Sequence, residues 1–214
     1  MCLWGIWCDH KFVLSRNKFK LLLVYQVMIQ KQFISANDFL IDSYKLARQV
    51  YDSGFKPNFL VGFWRGGTPV GIAVQEYLAV KDVKTDHIAL RTRAYDAIGK
   101  IGNQVQVNGL EYLVEHANAP DSILLVDDVF DTGLTMKAVI EEYHARARKN
   151  AAHDIRIATV YYKPENNRTT RKPNFFLRET NQWLVFPHEL HDLTAEEIRE
   201  GKGDEVYRLL YGGT

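Results

Sequence analysis

After residue 30 the apolar positions change period repeatedly, and the changes alternate between helix and strand. Ser35 with Asp38 three residues on makes a capping-box pattern, with Asp in place of Glu. Leu40, Tyr44, Ala47 and Tyr51 then recur at helical spacing until Gly54, a C-terminal stop. Phe59 to Phe63 is a short, nearly continuous apolar run, the pattern of a parallel strand buried on both faces. Pro69 opens the next predicted helix, with Val70, Ala73, Val74, Tyr77 and Leu78 as its stripe. His87 to Leu90 reads as a second strand, and Arg91 to Gly102 shows no clear period. Val107, Leu110, Val114 and Ala117 predict a helix closed by Pro120. Ile123 to Val126 is the strongest strand, followed by a helix with Met136, Val139, Ile140, Tyr143 and Ala147 on one face, and then by a strand from Ile155 to Tyr162.

Strands separated by helices of this length require crossover connections, so the expected architecture is one α/β domain with a mainly parallel central sheet flanked by helices. No internal repeat, linker or low-complexity tract interrupts it.

Composition narrows the function classes. The 214 residues carry 27 basic and 26 acidic side chains and 46% apolar residues, which argues against a disordered tail and against a polybasic nucleic-acid module. Cys2 and Cys8 both precede residue 9, so no disulfide framework spans the body, and a cytoplasmic setting is expected. Residues 1–31 hold five basic residues against Asp9 alone. Their run from Leu21 to Ile29 contains Gln26 and falls short of the roughly 20 residues of a membrane span. Neither a signal-peptide core nor a second ligand pair for Cys2, Cys8 and His10 is evident. Residues 1–30 are therefore expected to be an extension: an extra strand, a disordered arm, or, as fits the rest best, sequence upstream of a natural start at Met28. The domain proper is expected over 31–214.

The chemistry concentrates between Val126 and Thr135, where the strongest strand ends and a helix begins. Ligands of open α/β sheets bind at that carboxyl edge. Asp127 and Asp128 offer consecutive carboxylates able to accept hydrogen bonds from vicinal hydroxyls or to hold a hydrated Mg2+. Asp131, Thr132, Gly133, Leu134 and Thr135 lead into the helix, where exposed N–H groups and the helix dipole form a phosphate cradle. Diol readers directly upstream of a phosphate cradle describe a ribose 5-phosphate. A second turn, Gly62-Phe63-Trp64-Arg65-Gly66-Gly67-Thr68-Pro69, supplies a fixed charge at Arg65 and tight-turn glycines at Gly66 and Gly67; on its own it is equally a plain strand–helix connector.

These ten residues resemble the phosphoribosyl-pyrophosphate signature of the type I phosphoribosyltransferases, and ordered motifs extend the likeness over most of 58–191, closest to the 6-oxopurine branch. The resemblance implies that family's fold, with a small hood formed mainly by about 163–191. It implies ribose binding by Asp127 and Asp128, where the branch often has Glu-Asp. Asp131 becomes the general base at purine N7, and Asp131 to Thr135 the 5-phosphate loop. Arg65, Gly66 and Gly67 match the pyrophosphate loop. Lys172 matches the lysine that donates to the purine O6, with Lys163 as a competitor and ordinary surface charge beside Arg168, Arg171 and Arg178 as the plain alternative. Trp183 matches the stacking aromatic, or is simply core, and Leu184 adjoins it. Glu189 falls where the family has an acidic residue near a second metal, making Asp127, Asp128 and Glu189 the expected Mg2+ holders, partly through water. Arg91 to Val107 takes the place of the mobile loop, with Tyr95 as its tyrosine.

The implied activity is Mg2+-dependent transfer of a phosphoribosyl group from phosphoribosyl pyrophosphate to hypoxanthine, guanine or xanthine in purine salvage. A homodimer or homotetramer is implied, without nucleic-acid or membrane partners. The rivals are transfer to another base and a silent phosphoribosyl-pyrophosphate-binding regulator; residues 1–30 show no helix-turn-helix pattern to support the latter. No G-x-x-x-x-G-K-[ST] or G-x-G-x-x-G occurs.

Overall fold

The computed structural model describes residues 31–95 and 104–212. The expected amino-terminal extension, residues 1–30, and the middle of the expected loop, residues 96–103, lie outside them. Six strands form the main sheet: β2 (Phe59–Trp64), β3 (Asp86–Tyr95), β4 (Gln104–Asn108), β5 (Ser122–Phe130), β6 (Asp154–Tyr162) and β7 (Phe175–Glu179). Their spatial order is β4-β3-β2-β5-β6-β7, all parallel except the β3–β4 pair. A separate parallel pair joins β1 (Lys31–Phe33) to β8 (Trp183–Val185). The helices are α1 (Ala36–Asp52), α2 (Gly67–Val80), α3 (Leu110–His116), α4 (Leu134–Ala147), α5 (Ala195–Lys202) and α6 (Asp204–Tyr211).

Both faces of the sheet are covered, which is why its central strands β2, β5 and β6 read as apolar runs. On one face Leu60, Leu124, Val126 and Ala158 pack with Leu46 and Val50 of α1 and Val70, Val74 and Leu78 of α2. On the other, Val61, Ile123, Leu125 and Ile157 pack with Leu110 and Leu113 of α3 and Met136, Val139, Ile140 and Tyr143 of α4. Each fully buried leucine among them contributes about 2 kcal/mol.

Ser35 caps α1, accepting from the Asp38 N–H at 3.0 Å, and Gly54 follows its end at φ +78°. The buried face is displaced from the expected stripe. Phe39, Ser43, Leu46, Ala47 and Val50 face inward, while Leu40 and Tyr44 are exposed. The displacement places Asp42 inside, where Arg178 of β7 donates to it at 2.9 Å and Lys45 at 2.8 Å. A periodicity count that keeps carboxylates out of the core misses a carboxylate that has partners. α2 begins at Gly67 rather than Pro69, which still falls in the first turn, where a missing N–H costs nothing.

The stretch from Arg91 is not a loop throughout. Arg91 to Tyr95 continue β3 and pair antiparallel with β4, and Val107 lies in β4 rather than in a helix. Gln104-Val105-Gln106-Val107-Asn108 alternates at the period of a strand, and an edge strand needs no continuous apolar run. Part of the segment assigned to a hood, Phe175 to Glu179, belongs to the main sheet; the small second sheet takes one strand from 183–185 and the other from 31–33. No helix among the described residues is long and apolar enough to cross a membrane.

Candidate functional site

The carboxyl ends of β2, β5 and β6 converge with the turn after β8 on a cleft of about 340 Å3. β5 carries its two carboxylates between the core residues Val126 and Phe130, near its carboxyl end: Asp127 is half-buried and Asp128 buried. The Asp128 N–H donates to Asp127 Oδ1 at 3.1 Å, and the Val129 N–H donates to Asp128 Oδ1 at 2.7 Å. Burial, and next the charge of Asp128, push the Asp127 carboxyl well above the ordinary carboxylate range. Burial likewise raises Asp128 to about 7, against the Val129 hydrogen bond and with help from the charge of Glu189. Crowded acidic groups of this kind stay charged only beside a cation or hydrogen-bond donors.

The turn after β2 lies directly against this pair. A Cβ on Gly66 would overlap the Asp128 carboxyl group, and one on Gly67 would approach Asp127 Cα to 2.8 Å. Glycine is therefore required at both positions by close approach, since no positive φ is involved. The Trp64–Arg65 peptide bond that enters the turn is cis. Arg65 is exposed and lines the cleft.

Downstream, Gly133 adopts φ +74° as the residue before α4, and a Cβ there would come within 2.7 Å of the Phe130 ring. The turn Asp131–Gly133 thus folds tightly onto β5 and leaves the first N–H groups of α4 facing outward, a ready anion site. The Thr132 hydroxyl accepts from the Leu134 N–H at 3.4 Å, and the Arg168 N–H donates to the Thr132 carbonyl at 2.9 Å. Asp131 receives Asn166 Nδ2 on one oxygen at 2.8 Å and Lys163 Nζ on the other at 3.4 Å. Asn166 was not singled out in the sequence; the short turn Pro164–Asn166 brings it back over the end of β5, which no linear motif announces.

On the far wall stand Trp183, Leu184 and Phe186. Trp183 is 53% exposed, so it presents its ring to the cleft instead of filling the core. Glu189 also lines the cleft and accepts from the Phe186 N–H at 2.9 Å. His188 stacks on Phe186 with ring centroids 5.8 Å apart and sets Nε2 3.7 Å from Asp128 Oδ2. Burial, above all, holds its imidazole below the usual histidine range.

Of the residues singled out in the sequence, Arg65, Asp128, Asp131, Trp183, Leu184 and Glu189 line one cleft. Asp127 adjoins it beneath Gly67, and Thr132 to Thr135 form its adjacent turn and helix start. Lys172 does not join them. It is exposed in the connection that returns to the start of β7, three residues before Phe175, whose register partner Ala158 lies deep along β6 from the carboxyl edge. Lys163, directly after β6, lines the cleft in its stead. Tyr95 closes β3.

A mainly parallel sheet whose carboxyl edge carries consecutive carboxylates between two glycine turns is the ligand-binding edge of an open α/β domain. Residues 30–193 match the model of the phosphoribosyl transferase domain, and the chain belongs to that family. Comparison with curated proteins returns no match. Among solved structures, a purine phosphoribosyltransferase from Pyrococcus horikoshii aligns at 24% identity over 77% of this chain and 97% of its own, with a TM-score of 0.58. A xanthine-guanine-hypoxanthine phosphoribosyltransferase from Helicobacter pylori aligns at 22% identity over 73% and 92%, also at 0.58. A hypothetical protein from Neisseria gonorrhoeae with bound ppGpp aligns at 19% identity over 87% and 99%, at 0.63. At these identities the likeness is one of fold.

Proposed function

We propose that this chain transfers the 5-phosphoribosyl group of phosphoribosyl pyrophosphate to a 6-oxopurine, hypoxanthine, guanine or xanthine, giving the nucleoside monophosphate and pyrophosphate in purine salvage. The carrying observation is the meeting of Asp131, Lys163 and Trp183 in one cleft with the glycine turn at Arg65. The choice of base rests on that cleft and on the motif resemblance to the 6-oxopurine branch; the structures from Pyrococcus horikoshii and Helicobacter pylori share the fold.

In this reading Asp127 and Asp128 accept hydrogen bonds from the ribose 2- and 3-hydroxyls. The Thr132–Thr135 turn binds the 5-phosphate through its N–H groups. Trp183 stacks on the purine, Leu184 flanks it, and Lys163 donates to O6. As the bond from C1 to the pyrophosphate oxygen breaks, the ribose becomes oxocarbenium-like and negative charge grows on the leaving group. Arg65 and the N–H groups around Gly66 and Gly67 stabilise that charge; one preorganised donor of this kind is worth roughly 3–4 kcal/mol. N9 of the purine bonds to C1, and Asp131 accepts the proton that the imidazole ring loses. Asn166 and Lys163 hold the Asp131 carboxylate in place for this.

Asp127, Asp128 and, through water, Glu189 would hold Mg2+ only together with ligands from the substrate, because no three carboxylate, histidine or cysteine side chains converge on one point among the described residues. Burial raises both Asp127 and Asp128, and a cation would relieve it. Mg2+ held there would neutralise charge on the leaving group. The assembly is proposed to act as a homodimer or homotetramer in the cytoplasm.

The test is a base panel of hypoxanthine, guanine, xanthine, adenine, uracil and orotate with phosphoribosyl pyrophosphate and Mg2+, followed for nucleotide formation. Turnover confined to 6-oxopurines is expected. An Asp131→Asn variant should lose kcat by about a hundredfold or more while binding phosphoribosyl pyrophosphate nearly as before. Turnover of another base alone overturns the assignment of the base, and unchanged turnover in Asp131→Asn overturns the role of Asp131.

A further inference from the structure

A second concavity, of about 620 Å3, lies away from the cleft between the outer face of α4 and the connection from β6 into β7. Lys137 and His144 enter it from the helix, Arg168 and Arg171 from the connection, and its one carboxylate is Glu141. Lys137 meets that carboxylate only loosely, at 3.8 Å. Arg168 and Arg171, like Arg65, Arg91, Arg93, Arg148 and Arg208, meet no Asp or Glu among the described residues, but these two face one hollow. Two unneutralised guanidinium groups facing one hollow are suited to phosphate oxygens, which they contact in paired, charge-assisted hydrogen bonds. The volume suits a small ligand and not merely a single ion.

The hollow is also the back wall of the phosphate turn. The Arg168 N–H donates to the Thr132 carbonyl at 2.9 Å. Thr169 Oγ1 packs so closely on Gly133 that a Cβ there would approach it to 2.8 Å. Whatever orders the Arg168–Arg171 connection therefore orders the outer side of the Thr132–Gly133 turn.

We propose that this hollow binds a di- or triphosphate group through Arg168, Arg171 and Lys137, holding the connection against the turn from outside. Binding itself stands independently of the transferase reading; only its effect on the turn rests on that reading. The phosphate chain is the recognised feature, whether free or carried by a nucleotide.

The experiment is calorimetric titration of the whole protein with inorganic tripolyphosphate and, separately, with ATP. It compares the wild type with an Arg168→Ala/Arg171→Ala variant, a Lys137→Ala variant and an Arg65→Ala variant, each checked for an unchanged melting profile. A class of sites that survives Arg65→Ala and weakens about tenfold or more in the double-arginine variant is the expected result; Lys137→Ala should weaken the same class less. Equal affinity for both probes assigns the phosphate chain alone, and preference for ATP assigns a nucleotide. Isotherms unchanged by the double-arginine substitution overturn the proposal. So does arginine-dependent binding of a single-stranded oligonucleotide with none of tripolyphosphate, which would make the surface a nucleic-acid contact. A protein inactive across the base panel that keeps this class of sites would refute the transferase reading and leave this one standing.

Discussion

At the scale of single residues, the proposed contact with a purine base turns on two lysines. Lys172 sits in a motif-like run with Pro173, Asn174 and Phe175, but the run leads into the buried start of β7, far from the carboxyl edge. Lys163 follows β6 at that edge, where the Lys163 N–H donates to the Phe130 carbonyl at 2.9 Å and its ammonium reaches Asp131. Removing a charged donor to a buried oxygen costs about 1.5–3 kcal/mol. Lys163→Ala should therefore lower kcat/KM for the 6-oxopurine about ten- to hundredfold, mainly through the KM of the base, and Lys172→Ala should leave it nearly unchanged. Steady-state kinetics on the two variants checks this, and the reverse ranking would return the O6 contact to Lys172. The consecutive carboxylates, Asp131 and the threonines were readable from the sequence because one strand–turn–helix carries them all. The sequence left Lys163 and Lys172 both open and did not single out Asn166, because the choice depends on how the chain folds back after β6, a fact of topology and not of spacing.

At the scale of elements, the two glycine turns show why the sheet edge can be so acidic and so compact. Gly66 has an ordinary helical φ, so its need for glycine is steric: the Asp128 carboxyl group fills the position of a Cβ. Gly54 is the converse, with φ +78° and nothing near its would-be Cβ. Gly66→Ala must displace the turn or the carboxylate and should cost about 1–3 kcal/mol, as overpacking does, together with most phosphoribosyl-pyrophosphate affinity. Gly54→Ala should cost about 1–2 kcal/mol from its left-handed backbone and leave affinity intact. Thermal unfolding alongside ligand titration separates the two, and a Gly66→Ala protein that binds normally would contradict the close packing. Elements buried on both faces, such as β2, β5 and β6, were legible as apolar runs. The part of β3 beyond Leu90, the edge strands β4 and β7 and the short β1–β8 pair were not, since they are short or partly polar and carry no continuous apolar run.

At the scale of the whole molecule, distant parts of the chain are tied by a few polar contacts over the apolar core. Lys31 meets Glu197 at 2.7 Å, joining β1 to α5. Asp42 and Arg178, on α1 and β7, are joined across the edge of the sheet at 2.9 Å. Burial alone would raise the Asp42 carboxyl, but hydrogen bonds and charge from Arg178 and Lys45 together outweigh it and hold the group below the usual range. A carboxyl depressed in the folded state contributes stability that is complete above the unfolded-state value of about 3.9 and disappears as pH falls through the lower, folded one. Arg178 is half-exposed and solvent-screened, which keeps the contribution to about 2 kcal/mol. Asp42→Asn should therefore unfold at a lower temperature than the wild type at pH 7, with a gap of roughly 4–8 °C at 2–4 °C per kcal/mol. The gap should hold above the unfolded-state value of about 3.9 and close as pH falls below it through the lower, folded value, where the wild-type carboxyl protonates. Other carboxylates titrate in the same window in both proteins, so the difference between melting temperatures, rather than either one, carries the result. A gap that stays constant into acid would mean that the carboxamide fails by shape and not by charge, and that α1 is held by its apolar face alone.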